Sequence, residues 1–237
     1  MDAFAGAVEL GFRHLETDLH MTADGVLVCL HDPTVDRTTE GSGRVQAMTL
    51  GELQRLDAGH RHTISGDFPF RGMGVRVPTL EEVVTSFPEV ALVLDLKMGG
   101  MASTLARLID RHSLHERVIV GSIRDSRIAE FREAAGSRVP TSVGRAWARL
   151  WLLASRSGRA GPGMPEAIHL PVRTRGLRPV DRRLVAAATL SGAQVHVWTV
   201  NRREEMIEML DVGAGGIISD RPDLLKQTLT ERGEWRV

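Results

Sequence analysis

Cysteine is nearly absent from this chain of 237 residues, and Cys29 is the only one. A single cysteine excludes an internal disulfide and any cysteine-based metal cluster. Its place in the apolar run from Val26 to Leu30 fits a buried thiol rather than a reactive one. An excess of either charge is also absent, since Lys plus Arg and Asp plus Glu number 30 each. That balance carries no nucleic-acid footprint and no polybasic membrane patch. No run of about 18 apolar residues occurs, so no membrane span is expected. No signal peptide, fixed-period repeat or low-complexity tract is visible. What remains, 42% hydrophobic and 25% charged residues, is ordinary for a globular domain. The expected location is the cytoplasm, with secretion left open.

Short apolar runs alternate with helical patterns. The candidate strands are His14–His20, Ala91–Lys97, Val118–Ser122, Pro140–Gly144, Ala167–Pro171, Gln194–Val200 and Gly216–Ser219. Most read as apolar on both faces, as parallel strands buried on two sides do. Helical patterns cover Thr79–Phe87, Ala102–His112, Asp125–Ala135, Ala146–Arg156, Asp181–Leu190, Arg203–Val212 and Asp223–Arg232, and a leading helix covers Asp2–Leu10. Repeated strand–helix alternation means a parallel α/β fold. Seven strands suit an open doubly wound sheet, or an eight-stranded barrel that lacks its first strand; pattern alone leaves both standing. The stretch His31–Pro78 breaks the rhythm and is rich in glycine, which marks a functional loop or small insertion.

Two pairs of residues at two-residue spacing stand out. Glu16 and Asp18 share one face of a strand. Two acids on one face repel, and a hard divalent cation with oxygen ligands would resolve that conflict; a solvated edge strand would also explain them. Asp95 and Lys97 repeat the spacing on an apolar strand. Asp95 suits a third metal carboxylate and Lys97 a charge for a phosphate oxygen, while a buried ion pair is the plainer reading. Asp24-Gly25 is a hairpin signal that turns Val26–Leu30 back to deliver His31. His31, beside Asp32, suits a general acid or base. Trp198, at the end of its strand, suits packing on apolar substrate carbons or a place in the core.

Together these residues resemble the glycerophosphodiester phosphodiesterase family. The resemblance rests on Leu15 to Asp32 (LETDLHMTADGVLVCLHD), Asp36 to Val45 (DRTTEGSGRV) and Val77 to Val83 (VPTLEEV). It continues in the Asp95/Lys97 strand, in Trp198 to Asn201 (WTVN) and in Gly216 to Pro222 (GIISDRP). The resemblance implies a (β/α)8 TIM barrel over 1–237, lacking its first strand, with a small insertion at about 36–76 and a tail at 231–237. It implies metal-dependent hydrolysis of glycerophosphodiesters to glycerol 3-phosphate and an alcohol. Glu16, Asp18 and Asp95 would bind Mg²⁺ or Ca²⁺, His31 and Lys97 would be catalytic, and Trp198 would bind substrate. The partner implied is a small-molecule substrate, with no nucleic acid; head group and oligomeric state stay open.

Three departures qualify this. The family's opening His-Arg-Gly strand and Pro-Glu-Asn-Thr loop, which carry a second catalytic histidine and a further glutamate ligand, have no counterpart, so the chain is expected to be truncated. Position 95 is Asp where Glu is usual. Gly215 stands where Asp is common. Two other readings are a non-catalytic barrel that binds metal and phosphate, and a relative of phospholipase D or sphingomyelinase D.

Overall fold

The computed structural model describes all residues except 64, 65, 160, 164, 175, 177 and 237. It is an α/β protein whose residues fall into two compact units. The first unit comprises 1–5, 13–118 and 130–136; the second comprises 6–12, 119–129 and 137–237. Among the described residues, no helix is long and apolar enough to cross a membrane.

The first unit is built on β1 (His14–Met21), β2 (Leu27–Cys29) and β3 (Ala91–Leu96). β1 pairs antiparallel with β2 and parallel with β3. The expected turn lies between β1 and β2: Thr22 N donates to Val26 O at 3.0 Å, and Gly25 takes φ +81°, open to glycine without strain. Asp24 does further work there, since its carboxylate accepts from Leu50 N at 3.0 Å.

β1 and β3 each bury one face and leave the other, which carries the acids, partly exposed. Leu15, Thr17 and Leu19 of β1 and Leu92, Leu94 and Leu96 of β3 are buried; Glu16, Asp18, Val93 and Asp95 form a partly exposed face. The polar face explains why two-sided burial fails here: carboxylates cannot be desolvated cheaply.

The stretch after β2 is organised rather than loose. Val28, Val35, Val45, Leu53 and Val77 form a small core of their own. Within it lies α2 (Leu50–Leu53), four residues long and capped reciprocally by Thr49 and Glu52. The same capping box, Thr79 with Glu82, opens α3 (Leu80–Ser86). Each cap satisfies otherwise orphan helix donors, a contribution of about 1 kcal/mol. α4 (Ala102–Arg111) follows and buries Leu105 and Ile109.

In the second unit, α1 (Asp2–Glu9) begins in the first unit's residues and ends here. β4 (Val118–Gly121) leads to α5 (Asp125–Ala135), the span expected from sequence; Val118 and the last turns of α5, from Glu130 on, count with the first unit. Pro140–Gly144 forms no strand; only single bridges, Val120–Thr141 and Ser142–Ala167, mark its parallel course. The chain there turns at once into α6 (Arg145–Arg156). β5 (Ala167–Pro171), β6 (Gln194–Trp198) and β7 (Gly216–Ile217) form a parallel sheet in that order. α7 (Arg182–Leu190), α8 (Arg203–Asp211) and α9 (Pro222–Glu231) alternate with them. Trp151, Ile168, Leu184, Val197 and Met206 lie at the centre of this unit's core. In the segment expected as a tail, Trp235 packs edge-on against Phe12, with ring centroids 4.9 Å apart.

Candidate active site

The register of the first unit's sheet brings the expected acids together. Asp18 on β1 lies directly across from Asp95 on β3. Parallel partners in register point to the same face, and Glu16 sits two residues earlier on that face, about 7 Å along the strand. The pairing continues one step past β3, where Lys97 N donates to Leu19 O at 3.1 Å. That holds the backbone of Lys97 beside the end of β1.

Lys97 is the centre of the cluster. Its Nζ lies 2.6 Å from Asp18 Oδ1 and 2.6 Å from Asp95 Oδ2. Burial works against the ammonium, but the charges and hydrogen bonds of Asp95 and Asp18 outweigh it, so the pKa of Lys97 is raised. The lysine is a fixed positive charge held by two carboxylates.

The metal expectation meets a more specific arrangement. Among the described residues, no three His, Cys, Asp or Glu side chains stand close enough to hold an ion. The ammonium of Lys97 occupies the space between two of the three expected ligands. The chemistry of the donor set still fits a divalent cation, since all three acids offer hard oxygen atoms.

His31 follows β2 by two residues and is 68% exposed along its side chain. Its Nδ1 is 2.6 Å from Asp32 Oδ1, and Arg37 Nε donates to the other oxygen of Asp32. The Arg37 hydrogen bond lowers the pKa of Asp32 against the opposing effect of burial, with His31 adding to the lowering. The carboxylate therefore stays charged and holds the imidazole by Nδ1, which leaves Nε2 facing outward. Leu30 N donates to Asp18 O at 3.0 Å, so the backbone leading to His31 is tied to the strand that carries the acids.

Sequence reasoning passed over His20, which is buried and whose Nε2 donates to His31 O at 3.3 Å. The signal was present: His20 continues the alternation that joins Glu16 and Asp18. It also passed over Asn201. Asn201 Nδ2 donates to Asp220 Oδ2 at 2.8 Å, and Asn201 Oδ1 accepts from Asp220 N at 2.9 Å and Ser219 Oγ at 3.2 Å. Two motifs 18 residues apart are thus one clamp after β6 and β7. Trp198 itself is half-buried at the end of β6, opposite Pro171.

In the same sheet His169 and His196 are register partners, and their rings stack 5.1 Å apart. His169 Nε2 is shielded from solvent and has no hydrogen-bond partner among the described residues. Burial, and then the nearby His196, pull the pKa of His169 down to about 3. It stays neutral at ordinary pH. Cys29 behaves as expected: it is buried, and burial pushes its thiol up to about 12.

An α/β protein with acids and a lysine gathered on one side of adjacent parallel strands is the class that fold and site define. The family model for "Glycerophosphoryl diester phosphodiesterase family" matches residues 1–224. The chain is 32% identical over 240 residues to the "Probable glycerophosphodiester phosphodiesterase 2" of Mycobacterium tuberculosis, covering 99% of this chain and 86% of that one. It is 31% identical to the "Glycerophosphodiester phosphodiesterase" of Caldanaerobacter subterraneus subsp. tengcongensis, over 98% of this chain and 91% of that one. Among solved structures it is similar to a putative glycerophosphoryl diester phosphodiesterase from Silicibacter pomeroyi, with a TM-score of 0.81 and 26% identity, over 100% of this chain and 90% of that one. The chain belongs to the glycerophosphoryl diester phosphodiesterase family.

Proposed function

We propose that this protein hydrolyses glycerophosphodiesters to glycerol 3-phosphate and an alcohol, in a site of the barrel type centred on Lys97. The observation that supports this best is Lys97 held between Asp18 and Asp95 at the ends of paired strands. A fixed ammonium beside carboxylates is a charge laid out for a phosphoryl group.

In this reading Glu16, Asp18 and Asp95 would hold Mg²⁺ or Ca²⁺. The bound cation supplies positive charge against the phosphoryl oxygens. Lys97 donates to a non-bridging oxygen and stabilises the charge that grows there as water adds to phosphorus. His31, held at Nδ1 by Asp32, carries its mobile proton on Nε2. It gives that proton to the departing alcohol oxygen as the oxygen–phosphorus bond breaks, and the proton of the attacking water passes to solvent. Trp198 offers an apolar ring at the end of its own strand for substrate carbons.

A second reading, a barrel that binds phosphate without cleaving it, draws on one observation: the ammonium of Lys97 already fills the space between two acids. The two readings separate in one assay. Release of glycerol 3-phosphate from glycerophosphocholine, abolished by EDTA and restored by Mg²⁺ or Ca²⁺, supports the hydrolase. Turnover that ignores EDTA removes the metal role. Inorganic phosphate binding with no turnover leaves the second reading.

A further inference from the structure

The charge balance of the whole chain hides a local asymmetry. Between Glu133 and Glu166 there is no acidic residue, while Arg138, Arg145, Arg149, Arg156 and Arg159 all lie there. α6 sits inside this stretch. It buries Ala148, Trp151 and Ser155. On its other side Trp147 is 42% exposed, Leu150 46% and Leu153 61%. Large apolar side chains on a solvent face usually mark a docking surface when they come as a group.

The helical pitch sorts these residues. Arg145, Arg149 and Arg156 fall within about 40° of one another and form a row along one side of α6. Leu153 and Leu150 come next around the helix, and Trp147 lies beyond them. An apolar strip with an arginine row beside it and a tryptophan at its edge is the pattern of a helix that lies in a lipid interface. The three arginines have no ion-pair partner among the described residues. Asp125, which touches the helix, accepts from Ala146 N at 2.9 Å and so serves the helix N-terminus. Ile123, also exposed, adds to the apolar surface at that end, where its carbonyl accepts from Arg145 N at 3.0 Å.

We propose that the outer face of α6 docks this protein onto an anionic lipid surface, with Trp147, Leu150 and Leu153 in the interface and Arg145, Arg149 and Arg156 on lipid phosphates. Charge decides between this occupant and a second copy of the chain. A two-fold interface on α6 would set arginine row against arginine row with no acid to answer it, a repulsive arrangement. An anionic membrane supplies the missing negative charge.

The test is sedimentation of the whole protein with vesicles of phosphatidylcholine alone, and of phosphatidylcholine mixed with phosphatidylglycerol. Binding is expected to the mixed vesicles only, and it should weaken as salt rises. Leu150→Ser with Leu153→Ser should abolish it. Arg149→Gln and Arg156→Gln should each weaken it about fivefold. These positions are exposed, so the variants should keep their unfolding temperature and their activity on water-soluble substrate. The salt series on the unaltered protein needs no variant. Absence of binding to mixed vesicles overturns the proposal, as does equal binding to both vesicles. A dimer lost in the leucine variant, without vesicle binding, assigns the face to a second copy and also overturns it.

Discussion

Lys97 Nζ lies 2.6 Å from Asp18 Oδ1, although 78 residues separate the two along the chain. The contact exists because β1 and β3 run side by side in a register that sets Asp18 against Asp95. Neither carboxylate is fully exposed, so removing the lysine leaves two half-buried negative charges facing one another. Lys97→Met should therefore destabilise the protein by about 1–3 kcal/mol, measured by urea unfolding near neutral pH. It should also lower kcat/KM by about 10²–10³. A variant with full activity would remove Lys97 from the chemistry. Because the pKa of Lys97 is raised on folding, its stabilisation is complete at neutral pH and is lost only in alkali, as pH climbs past the ordinary lysine value of 10.5 toward the higher folded one.

His31→Ala should reduce turnover by about 10²–10⁴, the range for loss of a general acid. Asp32→Asn keeps the size of the side chain but removes the charge that holds Nδ1. It should give a smaller loss together with a shifted pH–rate profile. If Asp32→Asn moved neither the rate nor the profile, the proposed orienting role would fail.

His169 makes a prediction about acid. Its folded pKa is about 3, against an ordinary value of 6.5. As pH falls through 6.5 the unfolded chain takes up a proton that the folded chain refuses, so stability declines toward pH 3 and is unaffected by this group above 6.5. Between pH 5 and 6.5, before the carboxylates dominate, His169→Gln should flatten the decline in thermal unfolding temperature. The same slope in both proteins would show that the ring is not the cause.

Gly144 precedes α6, and a Cβ there would come within 2.5 Å of Asp125 N. Backbone cannot yield as a flexible side chain can. Gly144→Ala should cost about 1–3 kcal/mol, the usual range for overpacking. The carboxylate of Asp125 that caps α6 would be displaced with it. Denaturant titration reads the loss; a change within error would mean that the α5 start shifts freely.

Local patterns were legible and non-local pairings were not. Ala167–Pro171 and Asp125–Ala135 could be bounded from sequence, the first as a short apolar run and the second as a helical stretch that ends before Gly136. The helical pattern over Thr79–Phe87 likewise matches α3. α2 went unseen: its four residues are too few for a period, and its capping box lies among glycines. Pro140–Gly144 read as a strand but makes only isolated bridges, since the chain must leave the sheet at Gly144 to be capped by Asp125. Spacing put Glu16 with Asp18 and Asp95 with Lys97, one pair per strand. That the two pairs meet depends on which strands are neighbours, and the excursion from Leu27 to Ser86 lies between them. His20 and Asn201 were missed for a related reason: both act by holding another segment's backbone or side chain, and no motif read in isolation shows its partner.

The small core under residues 31–78 has a consequence for variation. Its apolar residues anchor the segment near both ends, and Asp24 fastens α2 from outside it. Exchanges in the exposed stretch around Phe68–Met73 are therefore insulated from the strand register that places Asp18 and Lys97. Substitution can accumulate there without touching the acid face.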